Sequence, residues 1–225
     1  MNDWVFNLKT DPVIGLFRQC SNPDCRFRYP DMRIEYKEDY CPKCGEPAET
    51  QSTVIHTGKE SQKSLKARKT ELVVLLDNIR SVYNVGSIFR TCEGLGINEI
   101  YLAGISPTPD HPRLAKTGLG AEGHVSWIYR NNAVDLVHEL RKRKFNLLGL
   151  ECTNGAIPIQ EFDLQVKNQP ICLITGNERL GIDPEIQELC DTLICIPMSG
   201  VKESLNVSVA FAIASFYLTD LLKKD

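Results

Sequence analysis

Residues 192–210 read TLICIPMSGVKESLNVSVA, a stretch that begins as a strand and ends as a helix. The β-branched apolar run at 192–196 is typical of a buried strand, and the proline and glycine after it favour a loop. Asn206 can cap a helix that continues to about Leu222. Because this helix is apolar on almost every side, we predict that it is buried against a sheet or a second subunit.

Short apolar runs alternate with helical patterns from residue 72 onward. We predict strands over 72–76, 99–102, 146–150, 171–175 and 192–196, and helices over 85–95, 134–142 and 207–222. This alternation predicts an α/β fold with a mainly parallel sheet and helices on both faces. In such sheets ligands bind beyond the carboxyl ends of the strands, so the loops that follow the strands are the candidate site.

The chain has 225 residues, of which 42% are hydrophobic and 24% are charged. That length fits one medium α/β domain with a small appendage. The first residues lack the basic start and long apolar run of a secretory signal, and no segment reaches the length of a membrane span. Nine cysteines, an odd number in a chain too large to need disulfides, predict reduced thiols. We therefore expect a soluble, cytoplasmic protein.

Four of the nine cysteines form two pairs. Four residues separate Cys20 from Cys25, two separate Cys41 from Cys44, and fifteen lie between the pairs. Two pairs borne on turns can bring four thiolates to one tetrahedral zinc ion, which would be structural because no coordination position stays open. We predict a zinc-ribbon domain over residues 1–50, and four free thiols on a small hairpin are the alternative.

The sequence between and after the cysteine pairs is more polar. Charged and apolar residues alternate at 26–29 and 32–36, which predicts two short hairpin strands. Residues 51–70 lack a sustained apolar period, so we interpret them as a basic linker before a domain over 71–225. The basic residues of this linker, which are either solvated or bind phosphate, are Lys59, Lys63, Lys66, Arg68 and Lys69.

Charge is distributed unevenly along the chain, whose net charge is −3. Residues 1–70 contain 12 Lys and Arg against 10 Asp and Glu, a net charge of +2. The remaining residues contain 14 against 19, a net charge of −5. A nucleic-acid partner would therefore have to be held by a local basic patch.

The loop after the first predicted strand leads into a helix whose polar face consists mostly of small residues. Asn84 is a plausible cap for this helix. At about 100° per residue the apolar positions form one stripe, whereas Arg90 projects from a face of small residues, Gly86, Ser87 and Gly94. Small neighbours leave space for another molecule to approach the guanidinium, although a solvated surface has the same pattern.

Two further loops follow predicted strands and contain candidate ligand-binding residues. Residues 176–182 read GNERLGI, where the glycines on either side of Glu178 allow a ligand to approach the backbone. Residues 197–206 read PMSGVKESLN and lead into the buried last helix. A loop anchored in this way is rigid enough to shape a cofactor pocket.

Together these loops resemble the three motifs of a known enzyme family, the TrmH/SpoU methyltransferases of the SPOUT superfamily. The resemblance rests on Asn84 with Arg90, GNE at 176–178 with Gly181, and IPM at 196–198 with SLNVS at 204–208. The motifs occur in order, each at a strand end, over about residues 72–222, which is far more specific than one short motif. The resemblance implies an α/β fold with a trefoil knot in its carboxyl-terminal third, which periodicity could not have shown.

The resemblance also implies an activity, partners and roles for individual residues. Family members transfer a methyl group from S-adenosylmethionine to a ribose 2′-hydroxyl of tRNA or rRNA, and they form homodimers. The adenosine of the cofactor would contact backbone groups at Gly176, Ile196, Met198 and Leu205. The catalytic residues would be Arg90 facing the ribose, Asn84 and Ser204 orienting the hydroxyl, and Glu178 and Asn206 shaping the site. Because a guanidinium stays protonated, we expect Arg90 to polarise the hydroxyl rather than to accept its proton.

Three alternatives compete with this interpretation. An RNA-binding protein could keep the fold with little or no methyl transfer. A nucleotide-dependent dehydrogenase would need a Gly-x-Gly-x-x-Gly motif after the first strand, which this sequence lacks. A base-directed methyltransferase of the same superfamily would not normally combine Ser204 with Asn206. We further expect a homodimer interface that involves Phe211, Phe216 or Tyr217.

Overall fold

A computed structural model describes residues 13–31, 39–56, 72–163, 169–201 and 204–222. Contacts between residues divide the chain into two compact units, Met1–Lys66 and Ala67–Asp225. No helix among the described residues is both long and apolar enough to cross a membrane.

The first unit contains a three-stranded antiparallel sheet of order β2-β1-β3. Its strands are β1 (Val13–Cys20), β2 (Arg28–Asp31) and β3 (Ala48–His56). The prediction of a strand at 26–29 was wrong at its start, because Arg26 lies in a turn with a positive φ of 46°. The strand predicted at 32–36 falls entirely on residues 32–38, which lie outside the described residues.

Strand β3 corrects the interpretation of the polar segment that follows the second cysteine pair. It continues to His56, so residues 51–56 form a strand and not a linker. Backbone hydrogen bonds to β1 hold β3 in the sheet. Because these bonds need no apolar side chains, a polar sequence can form a strand that the apolar pattern does not predict. The five basic residues predicted for the linker, Lys59, Lys63, Lys66, Arg68 and Lys69, lie outside the described residues.

The second unit contains a seven-stranded sheet of order β6-β5-β4-β9-β7-β10-β8, in which all six strand pairings are parallel. Its strands are β4 (Leu72–Asp77), β5 (Glu99–Ala103), β6 (Ser126–Arg130), β7 (Asn146–Leu150), β8 (Ile157–Pro158), β9 (Ile171–Thr175) and β10 (Thr192–Cys195). Its α-helices are α1 (Val82–Leu95), α2 (Ala115–Gly118), α3 (Ala133–Lys142), α4 (Pro184–Leu189) and α5 (Val207–Leu221). The predicted α/β class and mainly parallel sheet are confirmed, whereas the trefoil knot stays a prediction.

Helices cover both faces of this sheet, as the sequence predicted. One buried cluster contains the apolar stripe of α1, represented by Phe89, and the inner face of α5, represented by Phe211. A second cluster contains Leu136 and Leu140 of α3 and Ile186 of α4. The central strands lie between the two clusters, so both of their faces are apolar and they read as continuous apolar runs.

Four short strands and α-helices of the second unit were not predicted from the sequence. Strand β6 lies at the edge of the sheet and mixes exposed with half-buried positions. Strand β8 has 2 residues, helix α2 has 4 and helix α4 has 6. Strand β8 and helices α2 and α4 are too short to establish an apolar period, whereas β6, which has 5 residues, contains no fully buried position and therefore no continuous apolar run.

The caps of α1 and α5 show one wrong and one confirmed prediction. Helix α1 begins at Val82, so Asn84 lies in its first turn and is not the cap. Ser81 caps α1 and accepts a hydrogen bond at its hydroxyl oxygen from the N–H of Asn84 at 3.3 Å. Asn206 caps α5 as predicted, because its side-chain oxygen accepts the N–H of Ser208 at 2.9 Å. Asn84 therefore has its side chain available for contacts outside α1.

The small-residue face of α1 is partly filled by the chain itself. A Cβ atom at Gly86 would lie 2.7 Å from the carbonyl oxygen of Leu114 and would overlap the hydroxyl of Thr117. That hydroxyl donates a hydrogen bond to the carbonyl oxygen of Tyr83 at 3.1 Å. The expectation that Gly86 leaves space for another molecule was therefore wrong, since Gly86 allows α2 to pack directly against α1.

We predict opposite effects of alanine at the two glycines of α1. Gly86→Ala should lower the free energy of unfolding by about 1–3 kcal/mol, because the new methyl group overpacks the contact with α2. Gly94→Ala should raise it by about 0.5–1 kcal/mol, because Gly94 is exposed, no atom lies within 4 Å of its added Cβ, and alanine favours the helix. Urea unfolding of both variants checks this, and changes of the same sign would contradict the proposed packing.

Candidate active site

The carboxyl ends of three neighbouring strands form one cavity of about 410 Å³. It is bounded by the ends of β7, β9 and β10 and by the start of α5. Among the residues that line it are all four predicted cofactor-binding residues, Gly176, Ile196, Met198 and Leu205. Three of the five predicted catalytic residues also line it, namely Glu178, Ser204 and Asn206.

The carboxylate of Glu178 joins the loop after β9 to the start of α1. One of its oxygens accepts the backbone N–H of Arg80 at 2.9 Å. The other accepts the backbone N–H of Ser81 at 3.0 Å and the side-chain amide of Asn84 at 2.9 Å. Three donors thus converge on one carboxylate and hold two loops together that are almost 100 residues apart in sequence.

These hydrogen bonds stabilise the ionised form of Glu178. Desolvation of the carboxyl group acts to raise its pKa, but the N–H donors of Arg80, Ser81 and Asn84 outweigh it and hold the pKa below its ordinary value. Glu178 is therefore ionised at neutral pH. With its lone pairs engaged by these donors, the carboxylate is suited to positioning Asn84 rather than to accepting a proton.

Asn84 extends the network to the third loop. Its side-chain oxygen accepts the amide of Asn206 at 3.1 Å while its own amide donates to Glu178. The oxygen of Asn206 in turn accepts the hydroxyl of Ser208 at 2.7 Å. Residues from all three predicted motifs are thus connected by side-chain hydrogen bonds at the edge of the cavity.

The loop after β9 is folded tightly on itself. A Cβ at Gly176 would overlap backbone atoms of Gly181 and Ile182, so only glycine fits there. The side-chain oxygen of Asn177 accepts the N–H of Arg179 at 3.0 Å, and its amide donates to the carbonyl oxygen of Asn78 at 2.7 Å. These contacts fix the backbone that lines the cavity, as a preformed binding site requires.

Arg90 lies outside this cavity, on the exposed side of α1. It lines a second cleft of about 500 Å³ with residues of α1, α2 and the turn that follows α2. Asn84 and Arg90 are six residues apart on α1, which corresponds to about 9 Å along the helix axis. The structure therefore joins Asn84, Glu178 and Asn206 directly and leaves Arg90 about two turns away along α1.

Two residues that line the first cavity, Glu151 and Cys152 at the end of β7, were not predicted from the sequence. One carboxylate oxygen of Glu151 accepts the N–H of Ile182 at 3.0 Å. Both residues directly follow a strand that was predicted correctly, so the rule that ligands bind beyond strand ends could have found them. They were missed because no recognisable motif follows β7.

In the first unit, the four cysteines of the two pairs converge. Their sulfur atoms all lie within 4.8 Å of one another, with Cys20 and Cys44 at 3.4 Å and Cys25 and Cys41 at 4.0 Å. Tetrahedral zinc with bonds of about 2.3 Å places its thiolates about 3.8 Å apart, so this arrangement fits the ion. Two tight turns supply it, one of which ends at Gly45 with a positive φ of 79°.

Comparison with known proteins agrees with this geometry. Residues 71–216 match the SpoU rRNA Methylase family. The chain is 31% identical over 159 residues to a tRNA (guanosine(18)-2′-O)-methyltransferase of Aquifex aeolicus, which covers 69% of this chain and 72% of the relative. It is 30% identical over 167 residues to a 23S rRNA (guanosine(2553)-2′-O)-methyltransferase of Bacillus subtilis, which covers 74% of this chain and 63% of the relative.

Solved structures show the same fold. The TrmH/SpoU tRNA modifying enzyme of A. aeolicus superposes with a TM-score of 0.63 at 28% identity, over 70% of this chain and 79% of that one. An AdoMet-bound rRNA methyltransferase of Sinorhizobium meliloti superposes with a TM-score of 0.61 at 25% identity, over 67% and 56% of the two chains.

We predict that Glu178→Gln destabilises the protein in a pH-dependent way. The folded-state pKa of Glu178 is depressed, so its stabilising effect is fully present above the unfolded value of about 4.5 and is lost as the pH falls through the lower folded value. The difference in free energy of unfolding between wild type and variant should therefore be largest near pH 7 and shrink below pH 4.5. Urea unfolding across this range measures it.

The matched control is Glu188→Gln, which removes an exposed carboxylate from α4. It should leave the free energy of unfolding nearly unchanged at pH 7. A Glu178→Gln variant that is as stable as this control at pH 7 would show that the three hydrogen bonds do not hold the loops together.

Proposed function

The chain belongs to the SpoU rRNA Methylase family, and from this membership we propose that it transfers a methyl group from S-adenosylmethionine to a ribose 2′-hydroxyl of structured RNA. The observation that carries the proposal is the cavity at the carboxyl ends of β7, β9 and β10. Residues of the second and third motifs line this cavity, and Asn84 of the first motif is hydrogen-bonded to two of them, Glu178 and Asn206. The substrate would be a tRNA or an rRNA, since relatives named for each are similar to this chain.

The cavity fits S-adenosylmethionine. Its volume of about 410 Å³ lies in the range of ordinary small-molecule sites. Backbone groups at Gly176, Ile196, Met198 and Leu205 would hold the adenosine, and the tight turn at Gly176 leaves the backbone there open to contact. When bound, the cofactor supplies a sulfonium methyl group that is already electrophilic, so that alignment with the hydroxyl provides most of the acceleration.

Different residues around the cavity would contribute to aligning the ribose hydroxyl with the methyl group. Ser204 and Asn206 line the cavity at the start of α5 and would orient the ribose hydroxyl. Glu178 would act on Asn84, which it fixes by hydrogen bonding, and Asn84 in turn fixes Asn206. Arg90 would contact the ribose-phosphate from the exposed side of α1 and polarise the hydroxyl, because a guanidinium stays protonated and has no free lone pair with which to accept a proton.

We further propose that the protein forms a homodimer through α5. The inner face of this helix is buried, whereas Val209, Ile213 and Phe216 are 47%, 42% and 65% exposed. Their spacing places them on one stripe, which is an apolar surface suited to a symmetric partner. Phe211 is buried within its own chain and is no candidate, and the hydroxyl of Tyr217 donates to Gln160 of its own chain at 3.4 Å.

We propose a structural zinc ion in the first unit, held by Cys20, Cys25, Cys41 and Cys44. Four thiolates complete the coordination and leave no position for catalysis. A small sheet with few buried residues gains most of its stability from such an ion. We propose a cytoplasmic location, because the substrate would be RNA and the nine cysteines, all of them described, form no disulfide bond.

We predict that Arg90→Ala abolishes methyl transfer while the affinity for S-adenosylmethionine stays the same, because Arg90 does not line the cavity proposed for the cofactor. Transfer of labelled methyl groups to total RNA, with mass spectrometry of the nucleosides, measures the activity, and calorimetry measures the affinity. Arg141→Ala, in the last turn of α3, is the control and should behave as wild type.

Three results would contradict these assignments. Collapse of cofactor affinity in Arg90→Ala would place Arg90 in the cofactor site. Methylated bases in place of 2′-O-methylated riboses would indicate the base-directed reaction. Binding of RNA by the wild type without any methyl transfer would favour an RNA-binding protein that has lost turnover.

We predict one zinc ion per chain and its loss in Cys44→Ser. The control is Cys152→Ser, because Cys152 is also exposed but lies in the second unit. Metal analysis of the purified proteins should find one zinc in the wild type and in Cys152→Ser and less in Cys44→Ser. Equal metal content in all three proteins would refute the assignment.

A further inference from the structure

The cleft beside Arg90 has the chemistry of an anion site. Three of its residues, Ser87, Arg90 and Thr91, belong to α1, and three more, Lys116, Thr117 and Leu119, belong to α2 and the turn after it. The lining thus contains a guanidinium, an ammonium and three hydroxyls, and no carboxylate. The hydroxyls of Thr91 and Thr117 already donate to the carbonyl oxygens of Ser87 and Tyr83, so the donors that match the oxygens of a phosphate group are the guanidinium of Arg90, the ammonium of Lys116 and the hydroxyl of Ser87.

The two cations of this cleft are not used elsewhere in the described part of the chain. Neither the Arg90 guanidinium nor the Lys116 ammonium forms a salt bridge with a described residue. Both side chains are exposed. Residues 71–225 carry a net charge of −5, so a cleft with two cations and no carboxylate departs from its surroundings. Such a local patch is what an acidic domain needs to attract a polyanion.

The cleft is also rigid. The contact between Gly86 and the 114–118 segment holds α2 directly on α1, and the hydroxyl of Thr117 ties it to Tyr83. The backbone of Lys116 is thereby fixed relative to α1. A fixed backbone lowers the entropic cost of binding a ligand in the cleft.

Helix α1 connects the cleft to the first cavity. Asn84 contributes to the hydrogen-bond network at the cavity, and Ser87 and Thr91, three and seven residues further on, follow it on the same side of the helix. Arg90 lies about 9 Å along the axis from Asn84. A polynucleotide whose ribose reaches Asn84 and Asn206 therefore carries its adjoining phosphates toward the cleft.

We propose that this cleft binds a backbone phosphate of the RNA strand whose ribose is methylated, and that Lys116 is an RNA-binding residue of the site. The proposal rests on the proposed function. It assigns to α2, a short element outside the three motifs, the task of fixing where along the strand the target ribose lies.

The test compares Lys116→Gln with Lys142→Gln, which removes an exposed lysine from α3 on the opposite face of the sheet. Lys116→Gln should raise the KM for RNA by about tenfold, because one charge-assisted phosphate contact is lost. The slope of log affinity for RNA against log salt concentration should fall in magnitude by about 0.7–0.9, as expected for one phosphate. The affinity for S-adenosylmethionine should stay the same, Lys116→Arg should restore most of the RNA affinity, and Lys142→Gln should match the wild type.

The outcomes separate this proposal from the function on which it rests. An unchanged KM and salt slope in Lys116→Gln, with methyl transfer by the wild type intact, overturns the phosphate site alone. Absence of methyl transfer in the wild type overturns the proposed function, and filter binding of RNA by the same variants then still tests the cleft. If inorganic phosphate at constant ionic strength raises the melting temperature of the wild type but not of Lys116→Gln, and both bind RNA equally, the cleft binds free phosphate and the proposal is wrong.

Discussion

The carboxylate of Glu178 is the interaction on which the site depends. It accepts the N–H groups of Arg80 and Ser81 just before α1 and the side-chain amide of Asn84 within it. The first two donors precede the helix or belong to its cap, so a negative charge there is stabilised by the helix dipole as well as by hydrogen bonds. Because Asn84 then holds Asn206, one charged group sets the relative position of three loops.

This arrangement explains why the site can be assembled in advance of its ligands. Each side chain in the chain of hydrogen bonds from Glu178 to Ser208 has a defined donor or acceptor, so few rotamers need to be fixed when a substrate arrives. The tight turn at Gly176 adds a backbone that side chains cannot cover. The positive charge that attracts RNA has to come from other elements, because the residues that fix the geometry of the site are polar but mostly uncharged.

The sequence predicted the elements whose signal is local. Buried strands such as β9 appear as apolar runs with defined ends, and the cap at Asn206 follows from a short polar residue before a helical period. Asn84 was misassigned as a cap for the same reason, because Ser81 and Asn84 are both good capping residues and the apolar period, which starts at Val85, does not show that the helix begins at Val82. The packing of α2 on Gly86 and the sheet of the first unit depend on contacts between distant or polar residues, which leave no periodic trace.

The position of β9 in the sheet also determines how much of the sheet can fold while the chain is being synthesised. Strand β9 separates β4 from β7, although both precede it in the chain. Until residue 175 has left the ribosome, β4 keeps an open edge, and β7 has no partner strand, because its other neighbour, β10, follows β9 in the chain. The central pairings span about 100 residues in the case of β4 and β9, which is a high contact order and slows folding. A chain arrested before β9 would therefore expose the strand edges that most readily aggregate.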